Sequence, residues 1–321
     1  MRAVEFNKEI ILHKNYPMPE IPIGEALIKV DMAGICNTDL EIVKGYMGFS
    51  GILGHEFVGH VIKVNGDRQD LLNKRVVGGI NCACKNCEYC NKGLFTHCPN
   101  RTTLGIFNRN GCFADYVTLP TDNLLVVPDN VADDEAVFVE PIAAAYEILE
   151  QINISTESRV LVLGDGKLGL IVSLVLKQAA KNLLLVGKHE DKLKKVSNQG
   201  VKTKLLNNLE IAKEYDIVVE ATGSAGGFEL ALSLLKPRGI LVLKSTVAAN
   251  KEINLAPVVI DEITVIGSRC GPFKPAVNAL EKKLFNVKPL ISAVYNFDKA
   301  KEAVEFSKEK EALKVLIDFK E

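Results

Sequence analysis

The sequence predicts an α/β protein in which the part after Glu140 forms a doubly wound parallel sheet. Two observations support this fold class. The first is the segment RVLVLGDGKLGLIVSLVLK, in which a buried strand, Val160 to Leu163, is followed by a turn and by a helix from about Lys167. The second is a regular alternation of strand-like and helix-like segments in the order NLLLV, HEDKLKKVSNQ, YDIVVEA, GGFELALSLLK and GILVLK, which is typical of such sheets.

The turn of the first segment carries a glycine pattern that is suited to phosphate binding. Gly164, Gly166 and Gly169 fit the spacing G-x-G-x-x-G between a strand and a helix. Glycine at these positions allows a tight turn and lets a pyrophosphate approach the helix N-terminus, where free N–H groups and the helix dipole favour an anion. This turn, together with Lys167 and Leu168, is therefore predicted to bind a dinucleotide.

Composition indicates a folded protein with small-molecule partners. The 321 residues, of which 47% are hydrophobic and 25% charged, can bury a full core and suggest about two domains. The 39 basic and 40 acidic side chains give a net charge of -1, so we expect neither a nucleic acid nor a membrane as a partner.

The chain shows no targeting pattern at its start. The residues MRAVEFNKEI lack the basic and apolar regions of a leader peptide, and the longest apolar run, Val160 to Leu176, is interrupted by Asp165 and Lys167. We therefore expect a cytoplasmic protein, whose clustered thiols serve metal binding or catalysis rather than disulfides.

A cysteine-rich lobe, residues 82–98, contains five of the eight cysteines. Four of them follow the spacing C-x2-C-x2-C-x7-C, namely Cys84, Cys87, Cys90 and Cys98. Four thiolates on short turns can surround one zinc ion in a tetrahedron, at about 2.3 Å each. Such a closed shell leaves no position for a substrate, so the spacing predicts a structural zinc site that folds the lobe.

Two earlier segments suggest a second metal site. AGICNTDLEI places Cys36 beside Thr38 and Asp39, and GHEFVGHV contains His55 and Glu56. A thiolate, an imidazole and a carboxylate are ligand types of a catalytic zinc that keeps one position free. The alternative is a core cysteine and a chance His-Glu pair, and the spacing alone leaves both interpretations open.

In chain order, the string GHEFVG at residues 54–59, the four-cysteine lobe and the glycine pattern resemble the zinc-dependent medium-chain dehydrogenase/reductase family, which includes alcohol, sorbitol, threonine and glucose dehydrogenases. The resemblance covers nearly the whole chain. It implies a β-rich GroES-like catalytic domain at 1–145, a Rossmann domain at 146–270, and a segment at 271–321 that returns to the catalytic domain. It also implies a homodimer or homotetramer.

The resemblance adds Glu140 as a candidate metal ligand. Glu140 precedes Pro141 at the predicted start of a helix, where the sorbitol and glucose dehydrogenase branch has a glutamate ligand. The implied catalytic zinc site is then Cys36, His55 and either Glu140 or Glu56, with water completing the shell. From the residues alone, Glu140 could equally be an acidic side chain that is favourable at a helix N-terminus.

The activity that the resemblance implies is hydride transfer from a primary or secondary alcohol to a nicotinamide cofactor. Thr38 would pass the alcohol proton outward, and Asp39 would hold His55 in one tautomer. CNTDLEI is similar to the string C-G-T-D-x-E-I of glucose dehydrogenases, so Glu41 favours a sugar or polyol substrate, with Tyr46 also near the pocket.

The resemblance also places Thr222 and Gly223 beside the dinucleotide, and Arg269 near its nicotinamide half or the substrate.

Two alternatives to a zinc-dependent dehydrogenase remain. A zinc-free quinone or enoyl reductase of the same fold would not need the candidate metal ligands, and a nucleotide-binding protein without turnover would not need the filled catalytic positions.

The residues after the second Rossmann strand predict which dinucleotide is preferred. NAD-binding domains usually have there an Asp or Glu that binds the adenosine ribose. This chain has Gly187, followed by Lys188 and His189. Because the carboxylate is absent and a cation is available for a 2'-phosphate, we predict NADP over NAD. The alternative is that Lys188 points to solvent and Glu190 reaches the ribose.

Overall fold

The protein divides into two compact units. The computed structural model describes residues 1–245 and 252–320. One unit comprises Met1–Glu140 and Val277–Glu321, and the other comprises Pro141–Ala276. The boundaries predicted from the sequence, after residues 145 and 270, both fall inside the second unit, close to its two ends.

The regular elements are labelled in chain order. The strands are β1 (Ala3–Asn7), β2 (Glu9–His13), β3 (Glu25–Ile35), β4 (Gly51–Ile52), β5 (Glu56–Asn65), β6 (Arg75–Gly78), β7 (Asn81–Cys82), β8 (Thr102–Thr103), β9 (Tyr116–Pro120), β10 (Leu124–Val126), β11 (Arg159–Leu163), β12 (Asn182–Gly187), β13 (Lys202–Leu205), β14 (Tyr215–Glu220), β15 (Leu235–Leu243), β16 (Thr264–Gly267), β17 (Ile291–Asn296) and β18 (Lys314–Asp318). The α-helices are α1 (Asn37–Val43), α2 (Glu88–Asn91), α3 (Asp133–Ala136), α4 (Val139–Gln151), α5 (Lys167–Leu176), α6 (Glu190–Ser197), α7 (Gly227–Leu234), α8 (Ala256–Ile260), α9 (Phe273–Glu281) and α10 (Ala300–Phe306). Among the described residues, no helix combines the length and the apolar character needed to cross a bilayer.

The first unit is built mainly on one mixed sheet. Its strand order is β10-β6-β5-β3-β18-β17, and β9 also pairs with β3. β3 is an inner strand that pairs antiparallel with β5 on one side and with β18, from the end of the chain, on the other. Glu56 of β5 and Leu316 of β18 therefore both lie opposite Gly34 of β3. This register brings residues from distant parts of the sequence to one place.

Apolar burial fixes the position of β3. Ile28 and Ile35 of β3, with Leu316 of β18, have no exposed surface. Burying a side chain of this size contributes about 1.5–3 kcal/mol, so the strand is held firmly on both sides. Ile35 ends β3, and the chain continues directly into Cys36 and α1.

The second unit is a parallel sheet with the order β13-β12-β11-β14-β15-β16. This order confirms the predicted fold class, and α5 begins at Lys167 as the sequence predicts. The order reverses between β11 and β14, so the turns after these two strands meet at the edge where such sheets bind dinucleotides. The sheet core includes Leu161, Val218 and Leu241, which are fully buried.

The two edge strands, β13 and β16, were not identified from the sequence. Both are four residues long, and most of their residues are exposed or half-buried. Edge strands lack the apolar run of the inner strands because one side has no partner strand, so their sequences carry a weaker signal.

Candidate metal centres and cofactor turn

The four-cysteine lobe forms the first candidate metal centre. The sulfurs of its four predicted ligands lie within 4.8 Å of one another. The Sγ–Sγ distances are 3.5 Å from Cys87 to Cys90, 3.5 Å from Cys98 to Cys84 and 3.8 Å from Cys87 to Cys98. Four bonds of about 2.3 Å in a tetrahedron place the sulfurs about 3.8 Å apart. The lobe therefore fits one zinc ion with a closed shell.

Two of the four thiols, Cys84 and Cys90, differ in how readily they lose a proton. The backbone N–H of Asn86 lowers the pKa of Cys84 to about 6, whereas burial raises the pKa of Cys90 to about 12. Zinc binds thiolates, so its binding must displace the proton of Cys90 and becomes weaker as the pH falls.

A second centre forms where β3 ends and β5 begins. Cys36 follows β3 and precedes α1, and its backbone N–H donates to Asp39 Oδ2 at 2.8 Å. His55 directly precedes β5, and Glu56 is the first residue of that strand. The ligand atoms of Cys36, His55 and Glu56 lie within 4.8 Å of one another. The structure thus gathers three of the predicted catalytic ligands.

The donor atoms of this centre fit a cation. His55 and Glu56 are almost fully buried, yet among the described residues His55 Nδ1, Glu56 Oε1 and Asp39 Oδ1 have no hydrogen-bond partner. Asp39 Oδ1 lies 3.2 Å from His55 Nδ1, although the two atoms do not align as a hydrogen bond. Burial alone would lower the pKa of His55, but the charges of Asp39 and Cys36 raise it well above its usual value. Buried anions with free lone pairs are the environment that a metal ion stabilises.

Lys314 completes this centre and was not identified from the sequence. It begins β18, is 2% exposed, and donates from Nζ to Glu56 Oε2. Its Nζ also lies 5.7 Å from the centroid of the Phe138 ring. Burial lowers the pKa of Lys314, but Glu56 and Cys36 outweigh that effect and the pKa is raised. Lys314 therefore occupies one oxygen of Glu56 and leaves the other for a metal ion.

Gly34 makes room for this ion pair. A Cβ atom at residue 34 would lie 2.7 Å from Glu56 Oε2 and 2.7 Å from Val137 Cγ1. Real Cβ atoms do not approach other atoms this closely, so a larger residue would displace the Glu56 carboxylate. The glycine of the strand EALIKVDMAGI is thus required by a contact between β3 and β5.

Glu140 is placed differently from the other proposed ligands. It lies near the start of α4 and is half-buried. It does not belong to the group of Cys36, His55 and Glu56, whose ligand atoms lie within 4.8 Å of one another. Its negative charge nevertheless contributes to the raised pKa of Lys314. Glu140 as a ligand stays a prediction, while the geometry favours Glu56.

The other residues predicted for the substrate site follow Cys36 in the sequence. Thr38 Oγ1 is 3.8 Å from Cys36 Sγ, and Thr38 is half-buried. Glu41 accepts a hydrogen bond from Lys44 Nζ at 2.9 Å. Tyr46 is 41% exposed. Thr38 is therefore beside the metal centre, whereas Glu41 is engaged with a neighbouring surface lysine.

The glycine turn after β11 has the form that a pyrophosphate requires. A Cβ at residue 169 would lie 2.0 Å from Gly164 O, so Gly169 permits α5 to pack against the turn. Gly164 has a positive φ of 114°, and a Cβ at Gly166 would meet no atom within 4 Å. Lys167 and Leu168 form the first turn of α5. Open space in front of a helix N-terminus leaves room for a phosphate to approach the backbone.

The predicted residues after β14 lie at the same edge of the sheet. Glu220 ends β14 and accepts a hydrogen bond from the Thr222 backbone N–H at 2.7 Å. The Gly223 backbone N–H donates to Ser245 Oγ at 2.8 Å. Arg269 follows β16, and its carbonyl accepts a hydrogen bond from Lys244 Nζ at 3.0 Å. These contacts fix the backbone on which the proposed cofactor contacts depend.

At the end of β12 the structure differs from the sequence-based expectation. The space beside Gly187 was expected to lack a carboxylate, but Asp165, from the glycine turn, fills it. Asp165 Oδ2 accepts the backbone N–H of Lys188 at 2.7 Å and that of His189 at 2.6 Å. Glu190, the alternative ribose ligand, is exposed and pairs with Lys194 at 3.1 Å along α6. The partner of Asp165 is 23 residues away, so the sequence alone gave no sign of the contact.

For the four-cysteine lobe we predict that Cys98→Ser loses one zinc ion and melts at a lower temperature, because a fully buried ligand is removed. Cys82→Ser is the matched control, since Cys82 is buried in the same lobe but lies outside the four-sulfur group. Metal analysis should find two zinc ions per chain in the wild type and in Cys82→Ser, and one in Cys98→Ser. Equal zinc content and equal stability in all three proteins would refute the site.

Comparison with known proteins identifies both halves of the chain. The profile of the alcohol dehydrogenase GroES-like domain matches residues 22–129, and that of the glucose dehydrogenase C-terminus matches residues 133–319. A sorbitol dehydrogenase from Halalkalibacterium halodurans is 27% identical, with 94% of this chain and 93% of the relative covered. The starvation-sensing protein RspB from Escherichia coli is 27% identical, with 98% and 97% covered.

Solved structures of dehydrogenases also superimpose closely on this chain. Alcohol dehydrogenase TADH from Thermus sp. ATN1 superimposes with a TM-score of 0.90 at 26% identity, covering 99% of each chain. A putative zinc-binding dehydrogenase from Sinorhizobium meliloti, bound to NADP, gives a TM-score of 0.90 at 25% identity, covering 99% of this chain and 98% of that one. The glucose dehydrogenase profile alone covers more than half of the sequence. The resemblance is therefore confirmed: the chain belongs to the zinc-type medium-chain dehydrogenase family.

Proposed function

We propose that this protein is a zinc-dependent dehydrogenase that transfers a hydride between a primary or secondary alcohol and NADP or NAD. The observation that carries the proposal is the convergence of Cys36, His55 and Glu56 in a buried centre with unpartnered donor atoms. Zinc at these three residues would polarise an alcohol oxygen and lower its pKa. A nicotinamide bound to the second unit would accept the hydride from the alcohol carbon.

The side chains around the centre have separate roles in this chemistry. The Thr38 hydroxyl, 3.8 Å from Cys36 Sγ, both donates and accepts hydrogen bonds and can pass the alcohol proton outward. The Asp39 carboxylate, whose Oδ1 lies 3.2 Å from His55 Nδ1, favours a proton on Nδ1 and so leaves the other ring nitrogen for the metal. Lys314 holds Glu56 Oε2 and thereby directs Oε1 toward the same position.

We propose that the substrate is a sugar or polyol. Sorbitol dehydrogenases from Halalkalibacterium halodurans and Bombyx mori are 27% and 26% identical to this chain, and CNTDLEI is similar to the glucose dehydrogenase string. Glu41 and Tyr46 are the candidates for contacting the additional hydroxyl groups.

The cofactor half of the proposal assigns the glycine turn to the pyrophosphate. Thr222 and Gly223 line the adjoining loop, and Arg269 lies near the nicotinamide half or the substrate. Lys188 and His189 are assigned to the 2'-phosphate, and NADP is favoured because Lys188 provides a cation for it.

We further propose a homodimer or homotetramer. Val259 and Ile260 of α8 are 76% and 77% exposed, and β16, which follows shortly after, is an edge strand. Exposed apolar side chains beside an open strand edge suit contact with another copy of the chain. Light scattering should give a molar mass two or four times that of one chain, and the mass of a single chain would contradict this proposal.

We predict that the enzyme reduces NADP⁺ with at least one member of a panel of alcohols and polyols, followed by the absorbance of the reduced nicotinamide. Dialysis against a chelator should abolish the turnover, because without zinc the alcohol oxygen is no longer polarised. Added zinc should restore the turnover. Turnover that persists without zinc would instead support the zinc-free reductase. Dinucleotide binding without turnover on any substrate would support the non-catalytic alternative.

For the ligand set we predict that Cys36→Ser and His55→Ala each lower kcat by at least about a hundredfold while dinucleotide binding is retained. Glu56→Gln and Glu140→Gln form a matched pair that removes one or the other carboxylate charge. Because only Glu56 lies within 4.8 Å of the other ligand atoms, Glu56→Gln should weaken zinc binding more than Glu140→Gln. The reverse order, measured by titration with a metal indicator, would make Glu140 the ligand.

A further inference from the structure

Asp165 lies in the middle of the cofactor turn, between Gly164 and Gly166, yet its carboxylate contacts the neighbouring strand. Its Oδ2 accepts the backbone N–H groups of Lys188 and His189, at 2.7 and 2.6 Å. The same oxygen lies 3.1 Å from His189 Nδ1. The Asp165 side chain is 10% exposed and that of His189 is 41% exposed. A nearly buried carboxylate thus holds two consecutive residues of the loop between β12 and α6.

The contact also explains Gly187. A Cβ added at residue 187 would lie 2.4 Å from Asp165 Cβ and 2.5 Å from both Cγ and Oδ2 of Asp165. A side chain at 187 and a carboxylate at 165 therefore exclude each other. The acidic residue that NAD-binding domains usually have at the end of this strand cannot be accommodated while Asp165 is present.

We infer that Asp165 is a positioning residue that fixes Lys188 and His189 so that they bind the 2'-phosphate of NADP. This inference rests on the proposed nicotinamide-dependent function and assigns its cofactor specificity. Asp165 affects the phosphate indirectly, through the loop between β12 and α6, because its Oδ2 contacts the loop backbone and the His189 imidazole.

The contacts of Asp165 suit this role. Two N–H groups that share one carboxylate oxygen set the orientation of both peptide units and so the direction in which the exposed Lys188 side chain leaves the backbone. When Nδ1 of His189 donates to Asp165, the ring is fixed, and Nε2 can donate to a phosphate oxygen when the imidazole carries a proton on both nitrogens. Hydrogen bonds to the charged carboxylate are about twice as strong as those between neutral groups.

A competing account makes Asp165 the residue that rejects the 2'-phosphate. A carboxylate near the ribose would then repel the phosphate and favour NAD. The two accounts predict opposite effects when the charge is removed. If Asp165 repels the phosphate, Asp165→Asn strengthens NADP binding. If Asp165 positions the loop, the neutral amide holds the two N–H groups less strongly than the carboxylate, and the same substitution weakens NADP binding.

The test is the binding of NADP⁺ and NAD⁺ to the full-length wild type and to Asp165→Asn, measured by calorimetry. Adenosine 2',5'-bisphosphate and 5'-AMP serve as a second pair of ligands that differ only in the 2'-phosphate. We expect Asp165→Asn to weaken NADP⁺ and the bisphosphate by about tenfold or more, the effect of one charge-assisted contact, and to change NAD⁺ and 5'-AMP by less than about threefold. Retained NAD⁺ binding shows that the domain is folded.

Two further variants distinguish the positioning of Lys188 and His189 from the general effect of removing a negative charge near the phosphate. Asp191→Asn removes the same charge from an exposed position two residues after His189, and it should leave the ratio of the two affinities unchanged. Asp165→Gly combined with Gly187→Asp moves the carboxylate to the end of β12, and it should make NAD⁺ the tighter ligand. Residue 165 must be glycine in this variant, because the Asp165 Cβ alone lies 2.4 Å from the new side chain.

The outcomes are distinct. A lower preference for the phosphorylated ligands in Asp165→Asn, but not in Asp191→Asn, supports the inference. An unchanged preference, a stronger one, or equal effects of both substitutions would overturn it while leaving the dehydrogenase function intact. If the wild type binds neither dinucleotide, the proposed function itself fails and the inference falls with it.

Discussion

The buried ion pair between Glu56 and Lys314 is the interaction on which the candidate metal centre depends. Lys314 begins β18, near the end of the chain, and reaches across β3 at Gly34 to the first residue of β5. A buried ion pair often contributes little net stability, but removing one partner costs about 3–5 kcal/mol. The pair therefore ties the C-terminal strand to the position of Glu56, and through it to Cys36 and His55.

Charge balance gives this arrangement its chemical meaning. Cys36, Asp39 and Glu56 supply negative charge around a single buried lysine, and three of the buried donor atoms have no hydrogen-bond partner among the described residues. A divalent cation would balance these charges and bind the free oxygen of Glu56. At the cofactor turn, the buried negative charge of Asp165 is also balanced by its surroundings. Two backbone N–H groups and the His189 imidazole contact its carboxylate.

The features that the sequence predicted correctly are those encoded by neighbouring residues. The alternation of strands and helices and the glycine turn depend on short-range patterns, and the resulting fold class is confirmed. Lys314 and Asp165 were missed because their roles depend on partners 258 and 23 residues away. The only sign of Lys314 was a lysine beside the apolar run VLI of a final strand. The roles of Thr38, Glu140 and the cofactor-binding residues stay predictions.

The most direct test of the Glu56 and Lys314 arrangement is the zinc-induced rise in melting temperature of Lys314→Met. Lys29→Met, which removes an exposed lysine from β3, is the control, and zinc in the cysteine lobe contributes equally to all proteins. Without zinc, Lys314→Met leaves a buried carboxylate unpaired and should melt well below the wild type. Zinc should raise its melting temperature by more than that of the wild type or Lys29→Met, because both oxygens of Glu56 are then available to the metal. The same rise in all three proteins would contradict a metal centre in which Lys314 and zinc share Glu56.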